Sequence, residues 1–95
     1  MTPQHKTATW RHIQKAACPH LALLKDGATS TKTACEACGH GEHLRLCLTC
    51  GYVGCCESHS AHNTKHFKET GHPVITPHRA GYDWLWCYEC NAFLE

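Results

Sequence analysis

Apolar positions are sparse along this chain and rarely periodic. Residues 1–17 are polar apart from Trp10 and Ile13 and read as a partly ordered N-terminal arm. Leu21 to Lys25 contains a short apolar run, and Asp26 to Thr33 is a Gly/Ser/Thr-rich loop. The pattern changes at Ser60, a suitable N-cap for a helix over about residues 61–70 with Gly71 as its left-handed stop. On that helix His62 and His66, four apart, share a face. Pro73 to Thr76 reads as a strand bounded by prolines. Gly81 opens a second, Tyr82 to Cys87, in which Trp84 and Trp86 lie on one face. Phe93 and Leu94 finish the chain, and these elements together place it in the α+β class.

Composition changes the picture more than periodicity does. The chain has 95 residues, enough for one domain, with two Phe and one Met. A domain of this size with so few large apolar side chains needs added cross-links. Nine Cys and ten His point to what they are. An odd cysteine count sits poorly with a closed disulfide framework. No secretory signal is expected in residues 1–20, and no run approaches the roughly 18 apolar residues of a membrane span. Clustered thiols in a reducing, cytoplasmic setting read as metal ligands.

The spacing supports this. Cys35/Cys38, Cys47/Cys50 and Cys87/Cys90 are C-x-x-C pairs, which let one turn present two thiolates to a tetrahedral ion. The next residues, Gly39, Gly51 and Asn91, are types that tolerate positive φ, as a knuckle wrapped around sulfur requires. Cys18 and His20, in C-P-H, and Cys55, His62, His66 and His72 bring the candidate ligands to twelve. Twelve ligands make three closed tetrahedra, and three zinc ions are expected. A thioredoxin-like motif would need a βαβ context, and iron–sulfur clusters favour cysteine throughout. Cys56, His5, His12, His40, His43, His59 and His78 are left over and read as surface or packing residues.

The order C-x-H, C-x-x-C, C-x-x-C-G, a further Cys at 55, H-x-x-x-H, G-H-P-V-I and W-C-x-x-C, from Cys18 to Phe93, resembles the UBP-type zinc finger. With Gly54-Cys55-Cys56 and Thr70-Gly71-His72-Pro73 the chain looks most like the short stand-alone bacterial branch. The resemblance implies a small zinc-stabilised domain over residues 18–95, a short twisted β-sheet packed with one main helix. It also implies the ligand grouping: Cys18, His20, Cys87 and Cys90; Cys35, Cys38, Cys55 and His62; Cys47, Cys50, His66 and His72. Family members that bind the free Gly-Gly carboxyl end of ubiquitin use an aromatic pocket, to which Trp86, Tyr88 and Phe93 correspond. Those members carry Gly-Arg after the Cys that corresponds to Cys55, where this chain has Cys56 and Glu57. A carboxylate there opposes an anionic tail. Arg45 stands where the deacetylase finger of the family has Trp and offers a replacement cation.

The function expected from these residues is a non-catalytic, zinc-binding protein-interaction module that takes a protein or peptide terminus, as a monomer. The alternative is that Trp86, Tyr88 and Phe93 are only the core of a structural zinc domain. Zinc hydrolysis would need an open coordination position, which closed sites do not leave. Nucleic acid is a poor fit, because the net charge is +1 and no basic stripe occurs.

Overall fold

In a computed structural model of the chain, residues 11–24, 27–56 and 59–95 are described. The arm residues before Arg11, including Trp10 and His5, lie outside these, as does Glu57. The described elements are β1 (His12–Ile13), a 3-10 turn (Lys15–Ala17), α1 (Pro19–Ala22), β2 (Leu44–Cys47), β3 (Val53–Cys55), α2 (His62–Thr70), β4 (Val74–Pro77), β5 (Leu85–Cys87) and β6 (Ala92–Leu94). Six short strands form one sheet in the order β1-β6-β5-β4-β2-β3. The β1–β6 pair is parallel and the others antiparallel. This is an α+β architecture, with α2 as its main helix.

Register decides what each face of the sheet carries, because side chains of paired residues point the same way. One face holds Leu46 opposite Val53, Val74 opposite Cys87, and Leu85 opposite Leu94. Cys18 joins Val74, Cys87 and Leu94 there in a buried cluster, with Ile13, Leu21 and Leu24 against it. The other face holds Arg45 opposite Pro77, Ile75 opposite Trp86, and Trp86 opposite Phe93. Helix α2 packs on this aromatic side. Phe67 stacks on Tyr88 with ring centroids 4.7 Å apart, and the buried Asn63 donates Nδ2 to the Arg45 carbonyl at 3.0 Å. Gly54 allows that approach: a Cβ there would stand 2.9 Å from the Asn63 nitrogen.

Several boundaries differ from the sequence reading. Ala61, not Ser60, is the N-cap of α2, at φ 56° and without a side-chain cap. The Cys56 carbonyl accepts the N–H groups of His59 and Ala61, so a turn delivers the chain to His62. The location of the His62 imidazole, beside the Cys35 and Cys55 thiols, outranks the intrinsic preference for Ser. Gly71 does take the left-handed stop, at φ 77°. The second strand begins at Leu85 rather than Tyr82, because Thr76 Oγ1 claims the Trp84 carbonyl and Tyr82 turns back to Arg79.

The outer edge of β3 is covered in part by Glu36. Its backbone N–H donates to the Val53 carbonyl at 2.9 Å, and the Val53 N–H donates to its carboxylate at 2.8 Å. The Lys32 ammonium hydrogen-bonds the same carboxylate and is the main reason its pKa lies below the usual range. That contribution to stability is present above the ordinary carboxylate range and is lost as pH falls through the lowered value. Glu36→Ala leaves the fully buried Val53 N–H without its acceptor. It should cost about 1–3 kcal/mol in denaturant unfolding of the zinc-loaded protein at neutral pH. Glu36→Gln, which keeps an acceptor oxygen, should cost clearly less.

Candidate metal centres and aromatic face

Each C-x-x-C pair sits where a strand or loop turns back on itself. The left-handed residues that close the knuckles are Gly39 (φ 79°), Gly51 (φ 82°) and Asn91 (φ 53°). The Gly39 and Gly51 N–H groups donate to the Cys35 and Cys47 carbonyls at 2.8 Å. The elements then bring distant ligands to each knuckle. Cys18, the N-cap of α1, and His20 of α1 meet Cys87 and Cys90 at the end of β5. Cys55 of β3 and His62 of α2 meet Cys35 and Cys38. His66 of α2 and the following His72 meet Cys47 and Cys50. Within each of these three groups the candidate donor atoms all lie within 4.8 Å of one another.

These separations test whether a tetrahedral zinc ion fits. Arms of about 2.3 Å to sulfur and about 2.0 Å to nitrogen require S···S edges of about 3.8 Å and S···N edges of about 3.5 Å. The His20 Nδ1 lies 3.4 Å from the Cys87 and Cys90 sulfurs and 3.7 Å from that of Cys18. The Cys90 and Cys18 sulfurs are 3.6 Å apart, too far for a disulfide and right for a shared ion. His62 Nδ1 is 3.2 Å from the Cys55 sulfur and 3.6 Å from that of Cys35. His66 Nε2 is 3.3 Å from the Cys50 sulfur. His72 Nδ1 is buried with no hydrogen-bond partner among the described residues, as a nitrogen reserved for an ion would be.

The acidities agree. Burial opposes ionisation of Cys18, but hydrogen bonds from the Leu21 backbone and His20 outweigh it and bring the thiol to about 7. Burial likewise opposes ionisation of Cys35, and the amides of Ala37, Cys38 and Cys55 bring it to about 6. Their neighbours move the other way. Cys87 is pushed up to about 12, first by burial and then by the sulfurs of Cys90 and Cys18. Burial also raises Cys47 and Cys90. Thiolates this close repel, and a dication at their centre removes the conflict. Burial, then neighbouring His72, lowers the pKa of His66, which favours the neutral imidazole that a metal binds. The Tyr52 ring stacks on His66 at 4.2 Å and fixes its plane.

The aromatic candidates lie together on the α2 side of the sheet. Phe93 meets Trp86 and Trp84 edge-to-face, at 4.9 Å and 5.5 Å. Trp86 and Tyr88 are 3% and 8% exposed and form a floor. Phe93, Trp84 and Arg45 are half-buried at the rim, the Arg45 guanidinium lying over the Trp84 ring at 4.9 Å. Tyr88 OH is 3.2 Å from Thr64 Oγ1. Thr64 and Phe67 went unnoticed in the sequence, although their i, i+3 spacing puts them on one helical face. Of the spare residues, His12 stacks on Phe93 and pairs with Glu95, and His40 stacks on His59. His78 bonds the Lys32 carbonyl, His43 takes φ 53°, and Cys56 is half-buried.

Comparison with known proteins extends these findings. Residues 35–95 match the family described as "Zn-finger in ubiquitin-hydrolases and other protein". The chain is 37% identical over 81 residues to the human BRCA1-associated protein, covering 82% of this chain and 13% of that one. It is 30% identical over 86 residues to Histone deacetylase 6 of Caenorhabditis elegans, covering 87% of this chain and 9% of that one. It therefore spans a small part of each relative. A solution NMR structure of a Rhodopseudomonas palustris protein superposes with a TM-score of 0.70 at 40% identity, covering 80% of this chain and 78% of that one.

Proposed function

This chain belongs to the UBP-type zinc-finger family, and from that premise we propose that it is a non-catalytic interaction module whose aromatic face receives a peptide or protein terminus. Zinc is its cofactor, and three Cys/His groups can hold the ions. The ligand sets proposed are Cys18, His20, Cys87 and Cys90; Cys35, Cys38, Cys55 and His62; and Cys47, Cys50, His66 and His72. Zinc here supplies cross-linking. With four donors per ion no coordination position is left for water, so no hydrolytic role is assigned.

The observation that carries the reading is the Arg45–Trp84–Phe93 rim over a buried aromatic floor. A cation beside flat apolar rings suits an extended peptide that ends in, or carries, a carboxylate. No described helix is long and apolar enough to cross a membrane, and no basic stripe favours nucleic acid. Free ubiquitin should bind weakly or not at all, because Glu57 stands where family members that bind it have Arg. The test is a fluorescence titration with a peptide ending in Gly-Gly and with its C-terminal amide. Cys56→Gly with Glu57→Arg restores the family dipeptide without touching a proposed ligand. It should raise affinity for the acid peptide on the order of tenfold or more and leave the amide unchanged. Equal binding of acid and amide would show that the face does not read a terminus. No gain with either, in a folded double mutant, would favour a structural core.

A further inference from the structure

We infer that Arg45 and Arg79 together form a subsite for an acidic side chain of the bound peptide, an inference that rests on the reading of this domain as a peptide-binding module. A cavity of about 230 Å³ opens at the rim of the aromatic face, between β2 and the loop that joins β4 to β5. Its lining includes Arg45, Arg79, His43, Tyr82 and Trp84, and no acidic residue among the described residues. His43, Leu44 and Arg79 also line an adjoining cavity of about 300 Å³, which contributes His78 and, among the described residues, a single carboxylate, Glu42.

Both cations lie over aromatic rings. The Arg45 guanidinium lies 4.9 Å from the Trp84 centroid, and that of Arg79 lies 4.9 Å from Tyr82. The backbone around these residues is tied down. Thr76 Oγ1 donates to the Trp84 carbonyl at 2.9 Å, the Tyr82 N–H to the Arg79 carbonyl at 3.3 Å, and the His78 N–H to the Leu44 carbonyl at 2.9 Å. The Arg45 Nη1 donates to the Leu44 carbonyl at 3.2 Å, which restricts that guanidinium and leaves its other N–H donors for a ligand. Among the described residues neither guanidinium forms a salt bridge with a carboxylate.

Two guanidinium groups lining one small cavity match a carboxylate, which accepts paired N–H donors in one plane. Less side-chain entropy is lost on binding because the ring contacts already restrict the rotamers. A polyanion is the poorer match. The chain carries only +1 overall, and Glu42 and the exposed Asp83 flank the cleft. One or two carboxylates of a peptide crossing from the aromatic floor reach the arginines without meeting those charges along their whole length.

The test uses zinc-loaded protein and two acetylated, amidated peptides, one of four glutamates and one of four glutamines, titrated at low salt and followed by NMR. Blocked ends remove any terminal carboxylate. The glutamate peptide should bind at least tenfold tighter, with shifts at the Trp84 indole N–H and the Arg45 and Arg79 Nε–H groups. The ratio should fall to within twofold in Arg79→Gln, and Arg79→Lys should recover only part of it. Arg79 is exposed, and unchanged zinc content will confirm that the variants fold. Equal binding of the two peptides overturns the inference. So does a preference that survives in Arg79→Gln, which would place the glutamates elsewhere, such as on Lys65 and Lys68. Tighter binding of an eight-residue oligothymidine, lost in Arg79→Gln, would assign the cleft to nucleic acid and overturn it too. Binding of Gly-Gly acid peptides without a glutamate preference sinks this subsite alone, whereas failure of every peptide sinks the module reading as well.

Discussion

Stripping zinc from this protein with a strong chelator should unfold it cooperatively, after metal analysis has found close to three ions per chain. Structural zinc contributes an apparent ~10–16 kcal/mol per site in finger peptides, against a net stability of ~5–15 kcal/mol for an ordinary domain. The core here makes the dependence plain. Its buried clusters are small, and proposed ligands are members of them: Cys35 and Cys55 in one, Cys18 and Cys87 in another. Without the ion, these sulfurs are polar groups crowded inside an apolar setting. Acid should act in the same direction. Zinc holds its ligands as thiolates and neutral imidazoles, so the folded-state thiol pKa values lie far below the ordinary ~8.5. A depressed acid pKa gives stability that is present above the unfolded value and lost as pH falls through the folded one. Zinc release and loss of NMR dispersion should therefore coincide on acidification. Native-like dispersion after verified metal removal would show that the apolar core suffices alone, and a content near one ion would show that two ligand sets are wrong.

The parts of this architecture that were legible in the sequence are local. A C-x-x-C pair and the residue after it form one turn, so Gly39, Gly51 and Asn91 announce the knuckles directly. Helix α2 shows itself through Gly71, where a left-handed φ is needed. The strands are two to four residues long, too short to display a period, and β1 in particular is a two-residue parallel pairing whose partner lies at the other end of the chain. Ser60 misled because capping preference is worth about 1 kcal/mol, and the position of His62 over two thiols outweighs it. The second cation of the rim was invisible for a different reason. Arg45 and Arg79 meet only because β2 pairs with β4, and nothing in their own neighbourhoods marks them. The ligand grouping came from family resemblance. The separations now measured within each group are an independent reason to propose it.

Among single substitutions, Cys87→Ser should have the largest effect, and a larger one than Cys50→Ser. Cys87 is fully buried at the junction of β5 with its knuckle, and its group joins Cys18 and His20 to Cys90, nearly the whole length of the described chain. The loop closed by that group is the longest of the three, so its loss returns the most chain entropy to the unfolded state. It also sits under Val74 and Leu94, at the centre of one face of the sheet, where an unligated His20 and hydroxyl would be stranded against apolar neighbours. Cys50, by contrast, is exposed in a tight turn, and its group spans only residues 47–72. Serine is a far weaker ligand than thiolate for zinc, so each variant is expected to lose its own ion. Cys87→Ser should yield no folded protein at 25 °C, seen as collapse of amide dispersion in NMR spectra with zinc content well below two. Cys50→Ser should remain folded with close to two ions and a lowered midpoint of thermal unfolding. Cys56→Ser, which removes the one cysteine outside the three groups, should keep three ions and an unchanged midpoint. A folded three-zinc Cys87→Ser protein would remove Cys87 from the ligand set. Loss of an ion in Cys56→Ser would mean that the ligand assigned to Cys55 is read one residue out of place.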